Sequence, residues 1–166
     1  MLEKIDFSNI PNYSTLNDSF KGLYYDPTNE YSVPYTYGIV GIIYDANQVD
    51  EADAKNWDIL WDPKYSGGIL QYNNPRDAFG TAMYKLGIDV NTTDKAEWDR
   101  AAEELKTQYP LVYSLVMDEI YNLMETGEAK VGSYYAGDYF TMLDAQSDNV
   151  DLRFYYPEPT NYYVDA

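Results

Sequence analysis

Asn74 and Asp77 stand three residues apart at the start of a helix-forming stretch, and together they could hold a cation. The run Ile69-Leu70-Gln71-Tyr72-Asn73-Asn74-Pro75-Arg76-Asp77-Ala78-Phe79 follows Gly67-Gly68 and passes from apolar residues into Asn-Asn-Pro. Ala78, Phe79, Ala82, Met83 and Leu86 then recur at helical spacing up to Gly87. The pattern reads as strand, tight turn and helix. Asn74 suits the N-cap, Pro75 the first helical position and Asp77 the third. In α/β proteins, ligands gather where the carboxyl end of a strand meets a helix N-terminus. An anion is the usual guest there, because the helix end is partly positive. This turn presents a carboxylate and amide oxygens instead, which suits a guest that is itself a cation. The plainer reading makes Asp77 a helix-dipole residue worth about 0.3–1 kcal/mol and Asn74 a cap.

The overall charge points the same way. The 166-residue chain carries 28 acids against 11 bases, a formal net charge of -17, and no histidine. Nucleic acid is a poor partner for such a surface, since phosphate binding needs a basic face. A cationic solute would be drawn in, less so as salt rises. Solubility alone is the competing explanation. With neither His nor Cys, thiolate chemistry and His-based catalysis are excluded and a zinc site is disfavoured. No cofactor is expected. Paired carboxylates could serve a glycosidase, but nothing in the sequence sets their separation, and the chain does not read as an enzyme. Tyrosine is the outlier, with 20 residues beside five Phe and three Trp. Such rings fill sheets, and they also hold sugars or ammonium groups.

The elements that must position these residues follow from patterning. Residues 1 to about 30 are broken by Asn-Ile-Pro-Asn and Asp-Pro-Thr-Asn, and read as loop with at most a helical turn near Leu16–Leu23. Tyr31–Tyr44 is apolar and β-branched, one long strand or two in line, with Pro34 at an edge or junction and Gly38 and Gly41 at a bend or close approach. Trp57–Tyr65 reads as a short helix stopped before Pro63. Asp94 and Glu97 have capping-box spacing for a helix to about Gln108. Leu111–Val116 reads as extended, and Asp118 as the cap of a helix through Met124 that stops at Gly127. Ala129–Tyr135 alternates as a strand. Gly137–Gln146 follows as a helix with Tyr139, Phe140, Met142 and Leu143 on its apolar face. Val150–Tyr156 and Tyr162–Asp165 close the series as strands. This order predicts an α/β fold with a mixed sheet flanked by helices. Ending at Ala166, the chain stops as a strand begins, which reads as a piece of a longer protein. No signal peptide or membrane span is evident.

Three segments carry a resemblance. They are Tyr31-Ser32-Val33-Pro34-Tyr35-Thr36-Tyr37-Gly38, Trp57-Asp58-Ile59-Leu60-Trp61-Asp62-Pro63-Lys64-Tyr65-Ser66-Gly67 and Gly127-Glu128-Ala129-Lys130-Val131-Gly132-Ser133-Tyr134-Tyr135-Ala136-Gly137. Together with Asn91-Thr92-Thr93-Asp94 they resemble the polyamine (spermidine/putrescine) binding proteins of bacterial ABC importers, along nearly the whole chain. The resemblance implies one lobe of a type II periplasmic-binding-protein fold, with residues 1–34 as a lead-in from the first lobe and 35–166 as the second lobe. It implies a polyamine ligand held by carboxylates and aromatic rings, permease subunits as membrane partners, and an extracytoplasmic location, periplasmic or lipid-anchored. Carried over residue by residue, the ligand contacts fall on Asn74 and Asp77 in the turn, Tyr135 on the strand at Ser133–Tyr135, and Tyr163 and Asp165 on the last strand. The family has an acid where Asn74 stands and Trp where Tyr135 and Tyr163 stand. A binding protein of the same fold for a sugar or another organic cation is the alternative.

Overall fold

The computed structural model describes residues 2–166, so the expected lead-in begins at Met1, outside the described residues. By their contacts the residues form two units: a larger one, Ile39–Asn161, and a smaller one made of the segment up to Gly38 with Tyr162–Ala166.

In the larger unit, the apolar run Ile39–Tyr44 lies in the long strand β1 (Thr36–Asp45), and Val40, Ile42 and Ile43 are buried. Strand β1 is shorter than the sequence pattern predicts, beginning two residues after Pro34, whose nitrogen cannot join a ladder. The other strands are β2 (Ile69–Tyr72), β3 (Val112–Val116), β4 (Val131–Tyr135) and β5 (Leu152–Tyr155). Their order in the sheet is β3-β2-β4-β1-β5. Strand β2 runs parallel to β3 and β4, whereas β1 is antiparallel to β4 and β5. The expected mixed sheet is therefore present. All four residues of β2 are buried, as expected of a parallel strand covered on both faces. Gly41 permits close approach: a Cβ there would lie 2.4 Å from Phe154 and 2.6 Å from the Tyr155 carbonyl oxygen.

The helices are α1 (Pro75–Leu86), α2 (Lys95–Gln108), α3 (Glu119–Glu125) and α4 (Ala136–Ala145). Helices α1 and α2 pack through Ala82, Met83, Ile88 and Ala101, with Phe79, Trp98 and Leu105 against them. Four local expectations need correction. Trp57–Trp61 is a 3-10 turn, followed by a second at Pro63–Tyr65, because Asn56 and then Asp62 restart the cap within six residues. The box at α2 is only half formed: Asp94 caps the Ala96 amide, but the Glu97 carboxylate takes the Thr92 hydroxyl. Asp118 makes no side-chain cap on α3. Phe140 is 63% exposed rather than on the buried face of α4, where Met142 is fully covered.

In the smaller unit, 3-10 turns at Phe7–Asn9, Pro11–Thr15 and Asp18–Phe20 occupy what the sequence reads as loop. Asp26 is buried and accepts bonds from the Glu30 and Tyr31 amides and the Ser32 hydroxyl, which fixes the Asp26–Ser32 loop. Burial alone would raise its pKa, but these bonds together outweigh burial and lower it. Strand β6 (Tyr162–Asp165) pairs with the start of β1, and the Tyr35 amide donates to the Asp165 carbonyl at 2.8 Å. Gly38 makes room for the ring of Tyr163.

Candidate functional site

The turn between β2 and α1 is built as the residue types dictate. Asn74 is the N-cap, with its Oδ1 accepting from the Arg76 amide at 3.0 Å, and Pro75 follows at the first helical position. Gly87 closes the helix with φ of 65°. With Oδ1 committed to the cap, the amide nitrogen of Asn74 points the other way and donates to Asp77 Oδ2 at 2.7 Å. The hydroxyl of Tyr135, at the end of β4, donates to the same oxygen at 3.0 Å. Asn74, Asp77 and Tyr135 are all half-buried. The larger unit thus brings these three together. Among the described residues, no lysine or arginine pairs with Asp77.

An aromatic wall that the sequence reading missed stands behind this carboxylate. Tyr72 stacks on Tyr134 with ring centroids 5.6 Å apart and lies 5.8 Å from the ring of Tyr135. Tyr134 and Tyr135 are 4.8 Å apart. The Ser133 hydroxyl donates to the Tyr72 hydroxyl oxygen. Burial pushes the Tyr72 phenol well above its ordinary range, and the charge of Asp77 adds to this. Tyr134 is pushed up to about 12, first by burial and then by Asp118 and Asp138. Those two acids also follow strand ends. Asp118 comes after β3 and receives the Tyr134 hydroxyl at 3.5 Å, while Asp138 lies in the first turn of α4 and receives that of Tyr121. The rule that led to Asn74 and Asp77 applies equally at the ends of β3 and β4, and was the available signal for them.

Below the turn, Gln71 is buried and tied in on every side. Its amide donates to Thr81 Oγ1 at 3.0 Å and to Gln108 Oε1 at 2.9 Å, and its oxygen accepts from the Tyr72 amide. Gln108 in turn donates to the Leu60 carbonyl at 3.0 Å. This network fixes β2 to α1 and α2 immediately before the turn. A larger depression of about 430 Å3 involves Asp53, Asp58, Trp61 and Lys85. There Lys85 already pairs with Asp58 and Glu104, so its local charge is compensated. Tyr163 and Asp165 belong to the smaller unit, where Tyr163 is half-buried and Asp165 exposed.

Residues 1–162 match the family model described as bacterial extracellular solute-binding protein. The chain belongs to that family. These are solute-binding proteins, not enzymes. The chain is 35% identical over 145 residues to the spermidine/putrescine-binding periplasmic protein of Escherichia coli, which covers 87% of this chain and 42% of the relative. A putative spermidine/putrescine ABC transporter protein from Listeria monocytogenes superposes with a TM-score of 0.89 at 32% identity, over 98% of this chain and 50% of that one. The TpPotD lipoprotein of Treponema pallidum gives 0.84 at 28%, over 99% and 52%. The chain therefore spans about half the length of the proteins it matches, and its fold is one lobe of a type II periplasmic binding protein.

Proposed function

We propose that the protein carrying this chain is the solute-binding component of a bacterial ABC importer, and that its solute is a polyamine, putrescine or spermidine. One observation carries the reading. Asp77 is a half-buried carboxylate with no basic partner among the described residues, held by an amide and a phenol at the end of a parallel strand. A primary ammonium supplies the missing positive charge, and the flat ring of half-buried Tyr135 suits methylene groups, with the buried Tyr72 and Tyr134 packed behind it. In this proposal Tyr163 and Asp165 are further ligand contacts, a role that rests on the resemblance of the last strand. Residues 1–34 are the lead-in and 35–166 the second lobe, the partners are permease subunits in the membrane, and the location is extracytoplasmic. The relatives named above support the importer partners and the extracytoplasmic location.

The test is calorimetric titration of the full natural chain with putrescine, spermidine and a panel of neutral sugars, at low and moderate salt. Amine binding that weakens with salt and falls by about 2–5 kcal/mol in Asp77→Asn and in Asp165→Asn is the expected result. Binding of a neutral sugar alone would overturn the polyamine reading.

A further inference from the structure

Strands β2 and β4 run side by side and then part. Their pairing joins Ile69 with Val131 and Leu70 with Gly132, and stops there. On its other side each strand stays paired to its last residue, β2 with β3 through Tyr72 and Val116, and β4 with β1 through Tyr135 and Val40. The sheet is therefore open between the carboxyl ends of β2 and β4. The covering helices change face at the same place. Gln71 meets α1 and α2, whereas Gly132, level with the alternate residue Leu70, faces Ile120 of α3. In an α/β sheet such a switch point opens a crevice between two strand ends.

At the rim of this crevice the Tyr135 hydroxyl bonds Asp77, which joins the end of β4 to the start of α1. At its base is Tyr72. Neighbouring residues of a strand point to opposite faces, yet the Tyr72 ring lies 5.6 Å from that of Tyr134 and 5.8 Å from that of Tyr135. One ring reaches both only from the gap between the strand ends. Its hydroxyl meets Ser133, also on β4. At 2% exposure Tyr72 meets no guest itself.

We infer that Tyr72 is a positioning residue, a rigid spacer whose ring holds the end of β4 at the separation from β2 at which Tyr135 reaches Asp77. The inference deepens the polyamine reading above by adding a residue that acts on the amine only through Tyr135. A flexible side chain of similar bulk, such as methionine, would fill the same gap without fixing its width.

The experiment uses the full natural chain with Tyr72→Met, Tyr72→Leu and Tyr72→Phe, each alone and combined with Tyr135→Phe. Putrescine affinity is read by calorimetry, and the amine-free crystal structures give the distance from the Tyr135 hydroxyl to Asp77. Tyr72→Met and Tyr72→Leu are expected to weaken putrescine by about fivefold, the worth of one hydrogen bond, and to lengthen that distance beyond hydrogen-bond range. Tyr72→Phe keeps the ring and is expected to recover most of the loss. In the Tyr135→Phe background the bond is already gone, so the same changes at Tyr72 should add less than about twofold. A residue that merely fills the core would weaken binding equally in both backgrounds, and that result would overturn the inference. So would an unchanged distance from Tyr135 to Asp77 in Tyr72→Met, or a failure of both larger changes to fold, which would make Tyr72 a residue of the core alone. If the wild type binds no amine, the polyamine reading falls, and the crystallographic distance still decides the role of Tyr72.

Discussion

Replacing Gln108 with leucine tests whether the turn before α1 is held by its buried amide network. Gln108 is 1% exposed and Gln71 3%. In Gln108→Leu the Leu60 carbonyl loses its donor, and one hydrogen of the Gln71 amide loses its acceptor. Thr81 keeps the other Gln71 hydrogen. Each buried group left without a partner costs about 1–3 kcal/mol, so two cost roughly 2–6. The added leucine carbons recover about 1 kcal/mol of burial. A net loss of about 1–5 kcal/mol is expected in urea unfolding, with an unchanged slope and a fall in Tm of roughly 2–20 °C. Thr107→Ala, one residue earlier, removes an exposed hydroxyl bonded to the Glu104 carbonyl, with the adjoining methyl, and serves as the control. A loss below about 0.5 kcal/mol in Gln108→Leu, no more than the scatter of a surface change, would mean that the network does not restrain this part of the fold.

Gly41→Ala should cost more than about 2 kcal/mol in the same assay, because its Cβ would strike a backbone oxygen that cannot swing aside. Gly80→Ala, in α1 with nothing nearer than 3.7 Å, should instead gain up to about 1 kcal/mol. Tyr135→Phe, which removes only the hydroxyl bonded to Asp77, should weaken amine binding by about 1 kcal/mol, and Tyr135→Ala by more, as calorimetry would show. Tyr84, through burial, and Tyr134 are both held near 12 in the folded chain, against about 10 when unfolded. Their phenols stay protonated in the native state while the unfolded chain loses protons. Their contribution to stability should therefore be constant below about pH 10 and decline from there towards pH 12, and Tyr84→Phe should flatten the decline seen by unfolding at each pH.

Local signals in the sequence were enough for the turn. Asn74, Pro75, Asp77 and Gly87 act through neighbours within a few residues, and the backbone obeys them whatever surrounds it. The strand order, the exposure of Phe140 and the partner of Asp118 depend on segments far away along the chain. Asp118 has cap chemistry, yet its side chain meets Tyr134, which β4 delivers only once the sheet exists. The same holds for Gln71, which reads as an ordinary polar residue within a strand until α2 brings Gln108 against it. Within the candidate cluster, Asn74 and Asp77 were visible from spacing. Tyr135 came from resemblance, and its bond to Asp77 joins positions 58 residues apart. The stack of Tyr72 on Tyr134 was hidden among 20 tyrosines.

Strand β1 also sets a timing problem during synthesis. Ile42 pairs with Ser133 and Tyr155, the nearer of them about 90 residues later in the chain. At roughly 5–20 residues per second, the apolar segment Ile39–Tyr44 waits on the order of 5–20 s for its first sheet neighbour. For that interval it is a sticky strand with two bare edges. Holding factors that bind extended apolar segments have their window there, and a slowed ribosome between Asp45 and Val131 would lengthen it.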